Sequence, residues 1–74
     1  PMTSEGPLKR NCFQRFEVGD VEIKSGAIVE IEINKVWLLG IIEHWHESFF
    51  WFSKLEGIAV ILRNGINARI LNEA

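Results

Sequence analysis

The chain has 74 residues and a mass of 8.5 kDa, with 47% hydrophobic and 24% charged residues, and eight Lys and Arg against ten Asp and Glu leave a formal charge of −2. A chain this short holds one domain at most, and its apolar content excludes disorder over most of its length. The single cysteine, Cys12, excludes an internal disulfide framework and points to a reducing compartment.

Residues 1–12 hold Gly6, Pro7 and several polar side chains without an apolar period, which predicts a flexible N-terminal arm. Pro1 stands before Met2 and reads as an appended residue outside the fold. Residues 13–74 are expected to form a single domain. Phe16-Glu17-Val18 and Val21-Glu22-Ile23 flank Gly19-Asp20 as a first hairpin, and Lys24-Ser25-Gly26 is a further turn. Ala27 to Ile33 then alternates Val29, Ile31 and Ile33 on one face with Glu30 and Glu32 on the other, the period of a half-buried strand.

Asn34-Lys35 predicts a tight hairpin turn into Val36 to Glu43, a strand apolar on both faces, with Gly40 marking a bulge or bend. His44 to Ser48 reads as an irregular break before the aromatic strand Phe49-Phe50-Trp51-Phe52. After Glu56-Gly57 comes the apolar strand Ile58 to Leu62, and Asn64-Gly65 predicts a hairpin into a last strand, Ile66 to Leu71, with a short helix over Asn67 to Ala74 as the alternative reading. Short strands with frequent turn signals and no ten-residue helical period imply an all-β fold. The expected form is a small barrel of five or six short antiparallel strands, closed so that no sheet edge is left exposed.

Several of these residues are familiar in this order. Ile23 before Lys24-Ser25-Gly26, the alternating strand, Trp37 after a two-residue turn, Ile42-Glu43, Trp51 and Gly65-Ile66-x-x-Arg69-Ile70 resemble a family of short bacterial proteins. That family is a domain of unknown function, often encoded near mobile elements, and the resemblance spans about residues 16–71. It implies an SH3-like small β-barrel and, for an element-borne protein, an accessory or inhibitory role toward a larger one. Ser25 stands where members tend to have Cys, and Trp45 and Phe49 are additional. The family brings no assigned chemistry, so no functional residue is carried over.

The residues themselves give little chemistry. His44-x-His46 with Cys12, Glu43 or Glu47 supplies imidazoles for zinc, but a second, separated ligand pair is missing, so neither a metal nor a cofactor is expected. Cys12 beside a histidine lacks an orienting group and an oxyanion site, so the chain is not expected to be an enzyme. Proline-peptide recognition draws on tyrosine-rich grooves, and this chain has no Tyr. The longest apolar run, residues 36–42, is far below the roughly 18–20 residues that span a bilayer, so no membrane contact and a cytoplasmic location are expected.

Two binding modes remain. Lys9, Arg10 and Arg15 form a basic stretch that would touch nucleic acid. Against it, Glu17, Asp20, Glu22, Glu30, Glu32 and Glu43 outnumber Lys24 and Lys35 over residues 17–43 and repel phosphate. The second mode is aromatic: Trp37, Trp45, Phe49, Phe50, Trp51 and Phe52 fall within a short span. Either the barrel curls to bury most of these rings with Trp45 over its open end, or Trp45, Phe49, Trp51 and Trp37 form an exposed patch that docks another protein or a second copy of this chain. The primary expectation is the patch, in a non-catalytic protein-interaction module, with nucleic-acid binding as the alternative. Arg69, among apolar neighbours, is expected to pair structurally with Glu43, Glu30 or Glu32.

Overall fold

The alternation at residues 28–33 produces the strand it predicts, and the rest of the domain assembles around it. The computed structural model describes residues 3–71; Pro1, Met2 and residues 72–74, the end of the expected C-terminal segment, lie outside the described residues. Nine strands follow in order: β1 Thr3–Pro7, β2 Lys9–Arg10, β3 Phe16–Val18, β4 Val21–Glu22, β5 Ile28–Ile33, β6 Val36–Trp45, β7 Ser48–Ser53, β8 Ile58–Ile61 and β9 Asn67–Leu71. They form a six-stranded sheet, β1-β9-β5-β6-β7-β8, and a three-stranded sheet, β2-β3-β4. Every pairing is antiparallel. The fold is all-β, and among the described residues no helix is long and apolar enough to cross a membrane.

The strands do not close into a barrel. Among the described residues β1 pairs only with β9 and β8 only with β7, so both ends of the large sheet are open. The small sheet fills the gap with side chains instead: Phe16 and Val18 of β3 join Val29, Ile31, Ile42, Phe49, Trp51, Ala68 and Ile70 in one core. Phe16 meets Phe49 edge-on with centroids 6.0 Å apart, a favoured aromatic geometry. Nine strands replace the five or six expected; β1 and β2 lie in the segment that read as an arm, because β1 lacks any apolar period to announce it and β2 is only two residues long.

The N-terminal segment is not a free arm. β1 pairs with β9 from Thr3↔Leu71 to Pro7↔Asn67, and β2 pairs with β3. Leu8 between them is buried, its N–H donating to the Ile66 carbonyl at 2.7 Å and its carbonyl accepting from Gly65 N–H at 2.9 Å. These bonds also explain why Asn64-Gly65 does not make the expected hairpin. The turn docks on Leu8 and on Arg10, whose N–H donates to Asn64 Oδ1, and delivers β9 to the far side of the sheet between β1 and β5.

Two hairpin turns set the register of the large sheet. Asn34 and Lys35 have φ of 50° and 66°, and His46 and Glu47 have 47° and 66°, the paired positive values of a two-residue turn whose twist matches its strands. The second turn corrects the expected break at His44 to Ser48: β6 runs through His44 to Trp45, which pairs with Ser48.

Gly40 is buried for a specific reason. A Cβ there would lie 2.5 Å from Trp51 Nε1 and 2.7 Å from the Phe52 carbonyl oxygen, distances no side chain tolerates. The Trp51 indole occupies that space and donates its Nε1–H to the Val29 carbonyl at 2.8 Å, linking β7 across β6 to β5. Trp51→Phe removes this donor and part of the core volume, and is expected to cost about 2–3 kcal/mol. Gly40→Ala is expected to cost about 1–3 kcal/mol through overpacking. Urea unfolding followed by tryptophan fluorescence and circular dichroism measures both, and midpoints equal to wild type would refute the role assigned to the indole.

Candidate functional site

The register decides which aromatic residues face out. Trp51 is 0% exposed and Phe49 7% exposed, so both belong to the core rather than to a surface patch. Phe49 packs inward against Phe16 and against His44, whose ring stacks on it with centroids 4.3 Å apart. Trp37 faces out but is half-buried, with the Arg69 guanidinium 3.8 Å above its ring. Trp45 alone of the four expected patch residues is freely exposed, at 68%, near the tip of the β6–β7 hairpin against His46.

Pairing Ile28↔Ile41, Ile41↔Phe52 and Phe52↔Ala59 runs a row of apolar side chains across four strands on the outer face. Leu39, next to Ile41 on that face and opposite Glu30, extends the row on one side. Phe50 and Ile61, paired with each other, extend it on the other. Ile28, Leu39, Ile41, Phe52 and Ile61 are each 43–56% exposed. Apolar residues gathered into one exposed field, unlike singly scattered ones, are a feature of interaction surfaces. The sequence contained the signal for it. A two-residue turn at 34–35 pairs residue 33 with 36, which puts Leu39 and Ile41 on the same side as Glu30, and the turn at 46–47 carries that side to Phe50 and Phe52.

Over β1, β9 and the end of β5 the outer face carries a polar cluster instead. Arg69 pairs with Glu5 at 3.1 Å and Glu30 at 3.5 Å, and Asn67 Nδ2 donates to Glu32 at 3.0 Å. Glu30 was among the expected partners of Arg69, Glu43 is not one, and Glu5 belongs to the segment that read as a free arm.

A second feature lies at the other end of the molecule, where the β2–β3 loop approaches the β4–β5 turn and the β6–β7 hairpin. A cleft of about 470 Å³ opens there, lined by Arg10, Arg15, Lys24, Phe13 and His44 among others. Two of the three residues expected to form a basic arm, Arg10 and Arg15, therefore share a concave wall. The third, Lys9, is exposed opposite Glu17 and does not line it. Lys24 joins them from a segment that read as acidic. His44 and His46 are engaged with aromatic rings, Cys12 is exposed, and among the described residues no group of three or more His, Cys, Asp or Glu is placed to hold a metal ion.

No protein-family model, no curated protein and no solved structure matches this chain. The resemblance to the bacterial family therefore rests on the residues quoted for it.

The Arg69 cluster reads as a brace for the polar half of the face. Its members are partly exposed, so water screens the pairs. Arg69→Met is expected to lower stability by no more than about 1 kcal/mol, with the difference shrinking at high salt. Urea unfolding of both proteins at low and high salt checks this; a larger loss that salt leaves unchanged would place the arginine's contribution in packing instead.

Proposed function

We propose that this protein is a non-catalytic interaction module that docks another protein on the outer face of β5 to β8. The observation that carries the reading is the contiguous apolar field of Ile28, Leu39, Ile41, Phe50, Phe52 and Ile61 on a sheet whose opposite face already holds the whole core. Core packing does not need these side chains, and their exposure to water is unfavourable by roughly 25 cal/mol per Å². A partner that covers them recovers that free energy.

The chemistry of the partner follows from the rim. Glu43 is exposed beside Phe50 at one margin, so the complementary surface is apolar at its centre with a cation at the corresponding edge. An accessory or inhibitory role toward a larger protein suits a domain that acts by covering a surface. Trp45, at the end of the same face, is the aromatic residue of the original patch that remains available as an anchor.

The test compares wild type with an Ile41→Lys, Phe52→Ser variant, both shown to be folded by circular dichroism. Affinity capture with residue-level cross-linking is expected to recover a partner joined through β6 and β7, lost at least about tenfold in the variant and little affected by salt. Equal recovery by the two proteins removes the apolar face from the reading. Sedimentation at two concentrations identifies the case in which the partner is a second copy.

A further inference from the structure

The cleft at the hairpin end is independent of the apolar face and differs from it in chemistry. Its walls carry Arg10, Arg15 and Lys24 against one lining carboxylate, Glu47, in a chain where acids outnumber bases. The cations differ in their freedom. Arg10 is a brace: its guanidinium donates to the Gln14 and Glu47 carbonyls at 3.4 and 3.3 Å and lies 5.1 Å from the Phe16 ring centroid. Among the described residues Arg15 has only a loose ion pair, with Glu22 at 3.8 Å. Lys24 has no ion pair among the described residues, and Ser25 beside it brings a hydroxyl to the cleft.

The wall also holds a ring that the core does not use. Phe13 is 75% exposed, yet it sits on an ordered loop. Asn11 Oδ1 accepts the N–H groups of Phe13 and Arg15 at 2.9 and 3.1 Å, and Asn11 N–H donates to the Arg15 carbonyl at 2.7 Å. The Asn11 amide in turn donates to Glu17 and Glu22 on β3 and β4. One side chain thus fixes the backbone that carries both the exposed ring and Arg15, the less committed of the two arginines lining the cleft. Across the cleft, His44 is held in place by its stack on Phe49 and lines the opposite wall with its imidazole.

Cations, a hydroxyl and an imidazole suit a phosphate, and an exposed phenyl ring suits a planar aromatic group. The volume is within the roughly 300–1,000 Å³ of small-ligand clefts. We infer that this cleft binds a nucleoside phosphate, with the phosphate held by Arg15, Lys24 and Ser25 and the base stacked on Phe13. The acidic strands β3 to β5 outside the cleft oppose a long polyanion, so the ligand is a free mononucleotide rather than a strand lying across the sheet.

Nitrogen-edited NMR titration of the full chain with adenosine 5′-monophosphate, adenosine and inorganic phosphate tests this. The monophosphate is expected to shift the Ser25 and His44 resonances saturably and to bind better than either fragment. An Arg15→Ala, Lys24→Ala variant is expected to lose at least about tenfold in affinity. Phe13→Ala is expected to weaken the nucleotide while leaving inorganic phosphate unchanged. All three side chains are exposed, and the fragment comparison on wild type does not depend on any variant folding. Absence of saturable shifts at millimolar nucleotide overturns the inference, as does equal binding of adenosine and its monophosphate. A short oligothymidylate that binds no better than the mononucleotide confirms a free ligand. One that binds much better, with a steep salt dependence, overturns that choice of source and assigns the site to single-stranded nucleic acid. An acidic peptide that gives the same shifts more tightly overturns nucleotide recognition altogether.

Discussion

The Trp51 indole, lying where the Gly40 side chain would be and bonded to the Val29 carbonyl, is the contact on which the large sheet depends. It joins three adjacent strands with one side chain. Cross-strand pairs tie only neighbours, whereas this bond reaches from β7 over β6 to β5. The largest fully buried residue in the domain is thereby satisfied in its one polar atom, as a buried donor requires. In a chain of this size the core has few residues to lose, and a void or an orphaned donor at its centre would consume much of the available stability.

Trp51 also fixes what the two faces can be. With Trp51, Ile42 and Val29 turned inward, the strand period forces Phe52, Ile41 and Ile28 outward. The apolar outer field and the core are therefore coupled by geometry: one register gives both. The polar half of the same face is organised differently, by Arg69 bridging β1 and β5 while covering Trp37. The boundary between the halves crosses β5, with Ile28 at its start in the apolar half and Glu30 and Glu32 further along in the polar half.

Local pattern made the all-β class, β5, the turn at Asn34-Lys35, the Gly19-Asp20 hairpin and the apolar β6 and β8 legible in the sequence. Pairing between distant segments was not legible. β1 has no apolar period because backbone pairing and the Glu5–Arg69 ion pair hold it to β9, and neither needs apolar side chains. The Asn64-Gly65 dipeptide carries a strong local hairpin signal, which loses to tertiary bonds from Leu8 and Arg10. The aromatic run reads with Phe49 and Trp51 outward, and the pairing turns them inward. Phe49 and Trp51 are in the core because the turn at His46-Glu47 sets the pairing, and those two residues resemble a loop until their positive φ values are seen. The basic cleft was partly visible as Arg10 and Arg15, but Lys24 and His44 join it only through folding.

The position of β9 has a kinetic meaning. Among the described residues the last strand in sequence, β9, occupies an interior position in the sheet, between β1 and β5. Until residues 67–71 leave the ribosome, β1 has no strand partner and one side of β5 lies open. The domain is thus poorly suited to folding progressively during synthesis, and its high sequence separation of contacts favours a slow, late, all-or-none closure. A nascent chain stalled before that point would expose the β5 edge together with the apolar field, and would be a natural client for chaperones.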